Sequence, residues 1–202
     1  GMVIAPTGFG KTYSVFLAVL IDALNHPQNH QKGLKLLWIT PLRSLAKDLA
    51  RAMQEAIDEI GLDWLVEVRN GDTDAKNKAR QSKNMPDILL VTPESLHLLL
   101  AQKSREQFFK NIQCIAVDEW HELLGTKRGV MVELAISYLR NEYKNLQVWG
   151  ITATIGNLEQ AADVLNPNIQ KKIAIKASEK KQIEIISVYP NEVEVLPWAG
   201  HL

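Results

Sequence analysis

Two sets of residues have the types and spacing to do chemistry: a lysine and threonine behind a glycine-containing turn, and two adjacent carboxylates behind an apolar run. The first is Ala5-Pro6-Thr7-Gly8-Phe9-Gly10-Lys11-Thr12, followed by a helical pattern of Val15, Phe16, Val19, Leu20 and Ala23. Strand, small-residue loop, Lys-Thr and helix are what a phosphate cradle requires. Backbone N–H groups converge on the phosphates, and the helix adds about half a positive charge at its start. Thr7, Gly8, Phe9, Gly10, Lys11 and Thr12 would then wrap a nucleotide, with Lys11 at the β- and γ-phosphates and the Thr12 hydroxyl on Mg²⁺. The strict pattern wants glycine where Ala5 stands, and Gly8 restores backbone freedom in mid-loop. The competing reading is a tight turn with an incidental lysine; the strand–loop–helix context favours the nucleotide.

The second set is Asp118-Glu119-Trp120-His121, directly after Ile115-Ala116-Val117. Two carboxylates at the end of a buried strand need a partner, because burying a charge without one is costly. Magnesium supplies it: Asp118 would hold the ion and Glu119 would polarise the attacking water. Read alone, the tetrapeptide could equally be a helix cap followed by solvated charge. His121 either links this turn to its neighbours or caps it, and the linking role is preferred.

Two further runs end in Thr-Pro, at Thr40-Pro41 and Thr92-Pro93. Threonine caps helices and proline suits their first turn, so each dipeptide predicts a helix start. Structural capping alone would explain either. Together with Arg43 and the turn Arg69-Asn70-Gly71-Asp72-Thr73, they suggest a phosphodiester track built from Pro41, Arg43, Arg69, Gly71, Thr92 and Pro93. Thr152 and Thr154, in Thr152-Ala153-Thr154, could relay the nucleotide's state to the acidic turn or satisfy local backbone groups.

The elements that must position these groups read as alternating strands and helices. Apolar runs at 3–5, 34–39, 88–91, 112–117 and 148–151 predict buried parallel strands, and 183–188 predicts another. Leu45, Leu49, Met53, Ala56 and Ile60 mark one amphipathic helix, stopped by Gly61. Leu158, Ala161, Ala162 and Leu165 mark another, opened by Asn157 with Gln160 three places on. This alternation predicts an α/β fold, a mainly parallel sheet between helices, with ligands beyond the carboxyl ends of the strands.

The chain has 202 residues, 46% hydrophobic and 23% charged, which suits one domain with a full core. Lysine plus arginine and aspartate plus glutamate both number 23, for a net charge of zero. That argues against a broad basic surface for nucleic acid, so strand contact is expected to rest on a few placed groups. Cys114, the single cysteine, excludes an intrachain disulfide or a multi-cysteine metal site and reads as a buried structural thiol. No apolar run approaches the ~20 residues of a membrane span, and no leader pattern opens the sequence. A cytoplasmic protein is expected.

The order of these motifs resembles the superfamily-two DEAD/DEAH-box helicases. APTGFGKT looks like motif I, TPLRSLA like motif Ia, VTPESL like motif Ib, DEWH like motif II and TAT like motif III. PLRSLAKDL, VRNGDT, ITATIGN and LPWAGHL resemble the Lhr-like group, particularly the ligase-associated bacterial type. The resemblance implies a RecA-like P-loop NTPase fold over residues 1–188, with 189–202 leading to a second RecA-like domain. It implies ATP and Mg²⁺ as cofactors and 3′→5′ movement on single-stranded or tailed DNA, RNA being the alternative. It also implies DNA repair beside an ATP-dependent DNA ligase and a nuclease, in a bacterial cytoplasm. The first strand reads as cut short, and the upstream segment that contacts adenine in that family is not seen. An arginine finger from a second domain is worth roughly 10³ to 10⁵ in rate. The 202-residue chain is thus expected to bind nucleotide weakly and to show little ATPase activity, which a strand-stimulated hydrolysis assay measures.

Two other readings compete. A small-molecule kinase or transporter-type ATPase shares the phosphate loop but not DEWH, TAT and two Thr-Pro starts together. A noncatalytic scaffold would have no need of Lys11, Thr12, Asp118 and Glu119.

Overall fold

Runs of four bulky apolar residues leave no polar face to show to water, so they fold as strands covered on both sides. The computed structural model describes residues 1–6, 8–29, 31–153, 156–167 and 172–177. In chain order its elements are β1 (Met2–Ile4), α1 (Lys11–Asn25), β2 (Leu36–Ile39), α2 (Arg43–Ile60), β3 (Val66–Arg69), α3 (Ala75–Lys83), β4 (Ile88–Val91) and α4 (Pro93–Leu100). There follow α5 (Arg105–Phe109), β5 (Cys114–Val117), α6 (Trp120–Leu123), α7 (Lys127–Glu142), β6 (Gln147–Thr152), α8 (Leu158–Leu165) and β7 (Ala174–Lys176). Strands β2, β4 and β5 are buried along their whole length.

The seven strands form one sheet in the order β3-β4-β2-β5-β6-β1-β7, and every pairing is parallel. All carboxyl ends therefore lie along one rim. On one face, Val15, Phe16 and Leu20 of α1 and Met53 and Ile57 of α2 pack on Leu36, Trp38 and Leu90. On the other, Leu96, Phe108, Phe109, Val132, Leu139 and Leu165 pack on Leu37, Leu89 and Ile115. Each fully buried Leu or Phe contributes about 2–3 kcal/mol relative to exposure. Cys114 lies in this core, and burial pushes its thiol up to about 12. No helix among the described residues is long and apolar enough to cross a membrane.

Several expectations need adjustment. The buried face of α2 is Ala46, Ala50, Met53 and Ile57, while Leu45 and Ile60 are exposed. The sequence pattern follows the largest apolar side chains, whereas close approach of helix to sheet selects the small Ala46 and Ala50. Thr40-Pro41 does not start a helix: α2 begins at Arg43, behind an uncapped Leu42. The Thr40 hydroxyl accepts instead from the Leu42 N–H at 3.3 Å, closing a local turn. Strands β3 and β7 were not foreseen, and Arg69, expected in a turn, is the last residue of β3. The expectations for 183–188 and 189–202 fall outside the described residues. Gly61 does end α2, in the left-handed conformation, and the Asn157 side chain caps α8 by accepting from Gln160 N at 3.2 Å.

Two polar devices finish the sheet. The outer edge of β3 is met by glutamine amides: Gln54 accepts from Val66 N at 2.8 Å, and Gln81 donates to Val68 O at 3.0 Å. At the amino rim the ammonium of Lys35, 1% exposed, donates to Asp87 Oδ1 at 2.6 Å and Gly33 O at 3.0 Å, and lies over the Trp64 ring. The other Asp87 oxygen accepts from Leu65 N at 2.9 Å. Removing one partner of such a pair strands a buried charge. Asp87→Ala is expected to cost about 3–5 kcal/mol, readable as a lower urea midpoint; a loss below ~1 kcal/mol contradicts this role.

Candidate functional site

The phosphate loop leaves β1 at the carboxyl rim. Gly8 and Gly10 hold φ of 89° and 71°, and a Cβ on either would meet no atom within 4 Å. Backbone conformation rather than space therefore demands glycine at both. Helix α1 has Gly10 at its cap position and no side-chain cap, so its first N–H groups are left for an anion. Lys11 is 8% exposed, and its Nζ is buried without a hydrogen-bond partner among the described residues. Thr12 follows it, half-buried. Thr7 falls outside the described residues.

Two strands away in the sheet, β5 ends in the acidic turn. Glu119 adopts φ 46° and is the one non-glycine residue with positive φ among those described, a conformation that costs of order 1 kcal/mol. It occupies the cap position of α6 but makes no capping bond, so helix capping does not explain the carboxylates. Asp118 accepts from Glu119 N at 3.0 Å and from Trp38 Nε1 at 3.4 Å. Burial, and next the neighbouring Glu119 charge, raise the Asp118 pKa from 3.8 to about 6. The Trp38 and Glu119 hydrogen bonds and the charge of Lys11 act in the opposite sense. Lys11 and Asp118 thus feel each other across the rim.

Strand β6 lies between β1 and β5 and completes the arrangement. His121 Nδ1 sits 3.4 Å from Glu119 Oε2 and 3.2 Å from the hydroxyl of Thr152, which is fully buried at the end of β6. The structure therefore joins the acidic turn to the Thr-Ala-Thr segment through one imidazole. Thr154 falls outside the described residues. Thr12 and Asp118 offer a hydroxyl and a carboxylate, hard oxygen donors of the kind magnesium takes. No group of three or more His, Cys, Asp or Glu that could hold a metal occurs among the described residues. That limited donor set fits an ion that keeps its waters and takes the rest of its ligands from phosphates.

Farther along the rim, β2 and β4 end side by side, and Thr40 N donates to Val91 O at 3.0 Å. Arg43, exposed, pairs with Asp72 at 3.3 Å, and a Cβ on Gly71 would lie 3.2 Å from the Arg43 guanidinium. These two expected strand contacts are thus brought together. Arg69 stands apart from them: it is 3% exposed, its Nη1 has no partner, and burial lowers its pKa. Pro41 is buried too. Thr92 is buried and caps α4, accepting from Ser95 N at 3.4 Å behind Pro93 at the first turn.

Two residues escaped the sequence reading. Trp38 looks like any core aromatic until its indole is seen on Asp118. Arg128 makes a fork onto Glu94, with Nε–Oε1 at 2.6 Å and Nη2–Oε2 at 3.3 Å, and donates to Pro41 O at 3.0 Å. Burial pushes the Glu94 carboxyl upward, but hydrogen bonds, that from Arg128 foremost, leave it below its ordinary value. A signal did exist, because Lys127 and Arg128 open a helix with no acid in its first turn. Cations there oppose the helix dipole by about 0.3–1 kcal/mol.

Comparison with known proteins agrees with this geometry. A family model for DEAD/DEAH box helicases matches residues 1–161. The ATP-dependent helicase Lhr-Core of Methanocaldococcus jannaschii is 34% identical over 94% of this chain and 24% of its own length. The Lhr helicase/uracil glycosylase of Escherichia coli is 32% identical over 81% of this chain and 12% of its own. Among solved structures, the Mycobacterium smegmatis helicase Lhr bound to ssDNA and AMP-PNP is 29% identical, with TM-score 0.73, covering 91% of this chain and 24% of that one. The DEAD-box helicase Mss116 bound to ssRNA and UDP-BeF shares the RecA-like fold at TM-score 0.74 and 23% identity, over 86% of this chain and 36% of that one. The chain spans at most about a quarter of the Lhr relatives it matches. By its fold, its motifs and its matched length, this chain belongs to the DEAD/DEAH box helicase family.

Proposed function

We propose that this chain is the ATP-binding motor domain of an Lhr-type, ATP-dependent DNA helicase, gripping ATP·Mg²⁺ and one nucleic-acid strand along a single rim. The observation that carries the reading is the buried, unpartnered Lys11 ammonium at the same rim as the strained acidic turn Asp118-Glu119. A purely structural site would pair that lysine or leave it in water.

In this reading the uncapped start of α1, with Gly8, Phe9 and Gly10, cradles the phosphates, and Thr7 belongs to the same loop. Lys11 bonds the β- and γ-phosphates. Thr12 and Asp118 hold magnesium, which when bound neutralises charge developing on the phosphates. Trp38 holds one Asp118 oxygen and the Glu119 N–H holds the other, which fixes the carboxylate's orientation. Glu119, beside His121 and held in a left-handed backbone conformation, orients the attacking water. His121 reports this state to Thr152, and Thr154, two residues on in the sequence, belongs to the same proposed coupling path. Pro41, Arg43, Gly71, Thr92 and Pro93 supply the strand track, with the buried Arg69 at the end of β3.

The choice of DNA leans on the likeness to the Mycobacterium smegmatis helicase crystallised with ssDNA and AMP-PNP. A second RecA-like domain would complete the site for turnover. Movement 3′→5′, a repair role beside a ligase and nuclease, and a bacterial cytoplasmic setting rest on the family resemblance.

Lys11→Ala should weaken nucleotide binding by about 10- to 100-fold, the worth of charge-assisted bonds to phosphate. Titration of a fluorescent ATP analogue measures it, and an unchanged affinity defeats the reading.

Asp118 gives a pH signature. Its folded pKa of about 6 lies above the unfolded value of 3.8, so ionisation opposes folding. The penalty is small below about pH 4, grows between pH 4 and 6, and reaches on the order of 3 kcal/mol above that. In nucleotide-free, metal-free buffer Asp118→Asn should raise the Tm at pH 8 and leave it unchanged at pH 4. Equal shifts at both pH values would show that desolvation of this carboxylate is not the cause.

A further inference from the structure

Strand contact at this rim comes from two loops that are far apart in sequence: the Pro41 turn before α2 and the amino end of α4. Their spacing sets the spacing at which backbone phosphates are met, and phosphate contacts act by fixing register. Behind the loops the strand ends are already tied by Thr40 N on Val91 O, but Pro41 lacks an N–H and Thr92 spends its hydroxyl on a helix cap. Beyond that backbone bond, the Arg128 side chain bonds to both loops.

We propose that Arg128 is a positioning residue for strand binding, its guanidinium fork clamping the Glu94 carboxylate on α4 to the Pro41 carbonyl so that both loops hold one spacing. The inference rests on the strand-binding reading given above. Three observations carry it. First, the fork is bidentate and its third nitrogen is used as well, at 2.6, 3.3 and 3.0 Å, a geometry that lysine could not reproduce. Second, the arginine stands in the first turn of α7, where the helix dipole disfavours a cation, so its presence is held by those partners.

Third, the base on which Arg128 stands is rigid and continuous with the acidic turn. Thr126 accepts from Gly129 N at 3.0 Å and donates to Leu123 O at 2.7 Å. A Cβ on Gly129 would lie 2.1 Å from Leu123 O, so α7 sits against the end of α6 with no room for a side chain. Helix α6 starts at Trp120, next to Glu119, and is pinned by the Trp120 indole on Ala161 O at 3.0 Å. The clamp and the acidic turn therefore stand on one continuous packed unit. The side chains of Arg128 and Glu94 remain 37% and 45% exposed, so the pair adds little to folding; its use is geometric.

The sign of the Glu94 effect separates positioning from simple attraction. Binding of a fluorescein-labelled oligo-dT strand to this chain, with AMP-PNP and Mg²⁺, is measured by anisotropy over a range of salt. Glu94→Gln and Arg128→Gln are each expected to weaken binding by about tenfold, and the double variant no more than either alone, as for one coupled contact. Melting temperatures and the salt slope stay as in the wild type. Tighter binding by Glu94→Gln, the result expected if that carboxylate merely repels phosphate, overturns the proposal. So does a salt slope reduced by about 0.7 in Arg128→Gln, which marks direct contact with a single strand. Variants that bind as the wild type does overturn the clamp alone. A wild type that does not bind the strand overturns the strand-binding reading and the clamp with it.

Discussion

The placement of a lysine and an aspartate, both withdrawn from water, along one rim of a parallel sheet is the constraint around which this molecule is arranged. Neither group is comfortable there. Lys11 has no hydrogen-bond partner among the described residues and Asp118 is raised toward neutrality by burial. They come together because β1, β6 and β5 are adjacent and parallel, so the loop after one and the turn after another emerge side by side. An antiparallel neighbour would have sent one of them to the opposite rim. Topology here decides electrostatics, and a triphosphate with its metal would satisfy both charges at once.

The backbone of Glu119 shows the cost of the same arrangement. A side chain with a Cβ is held where glycine would be at ease, and no capping bond compensates it. The surrounding structure does: Trp120 is sunk completely and bonded to α8, and the Asp118 carboxylate takes the Glu119 N–H. Strain at one residue is tolerated because its neighbours on both sides are fixed.

Much of this was legible before any coordinates. Buried strands announce themselves as unbroken apolar runs, and β2, β4, β5 and β6 lie within a residue or two of where those runs predict. The phosphate loop and the acidic turn were recognisable because each couples charged residues to a strand end, which composition alone rarely produces. What stayed hidden depends on size and on partners distant in sequence. The face of α2 was misjudged because small alanines pack closer than exposed leucines. Strand β3 was missed because Glu67 and Arg69 interrupt its apolar pattern, although both are buried in the fold. Thr40-Pro41 and Thr92-Pro93 read alike, yet one closes a turn and the other caps a helix. Trp38 and Arg128 acquire their meaning from Asp118, Glu94 and Pro41, at separations no local pattern reveals.

The glutamines along β3 have a consequence of a different kind. A bare strand at a sheet margin is a template onto which foreign polypeptide can crystallise, one amide at a time. Gln54 and Gln81 bond the outward amide of Val66 and the outward carbonyl of Val68, so an incoming chain would have to evict two side chains before gaining its first rung. A sheet whose carboxyl rim is left open can thus keep this flank closed to self-association.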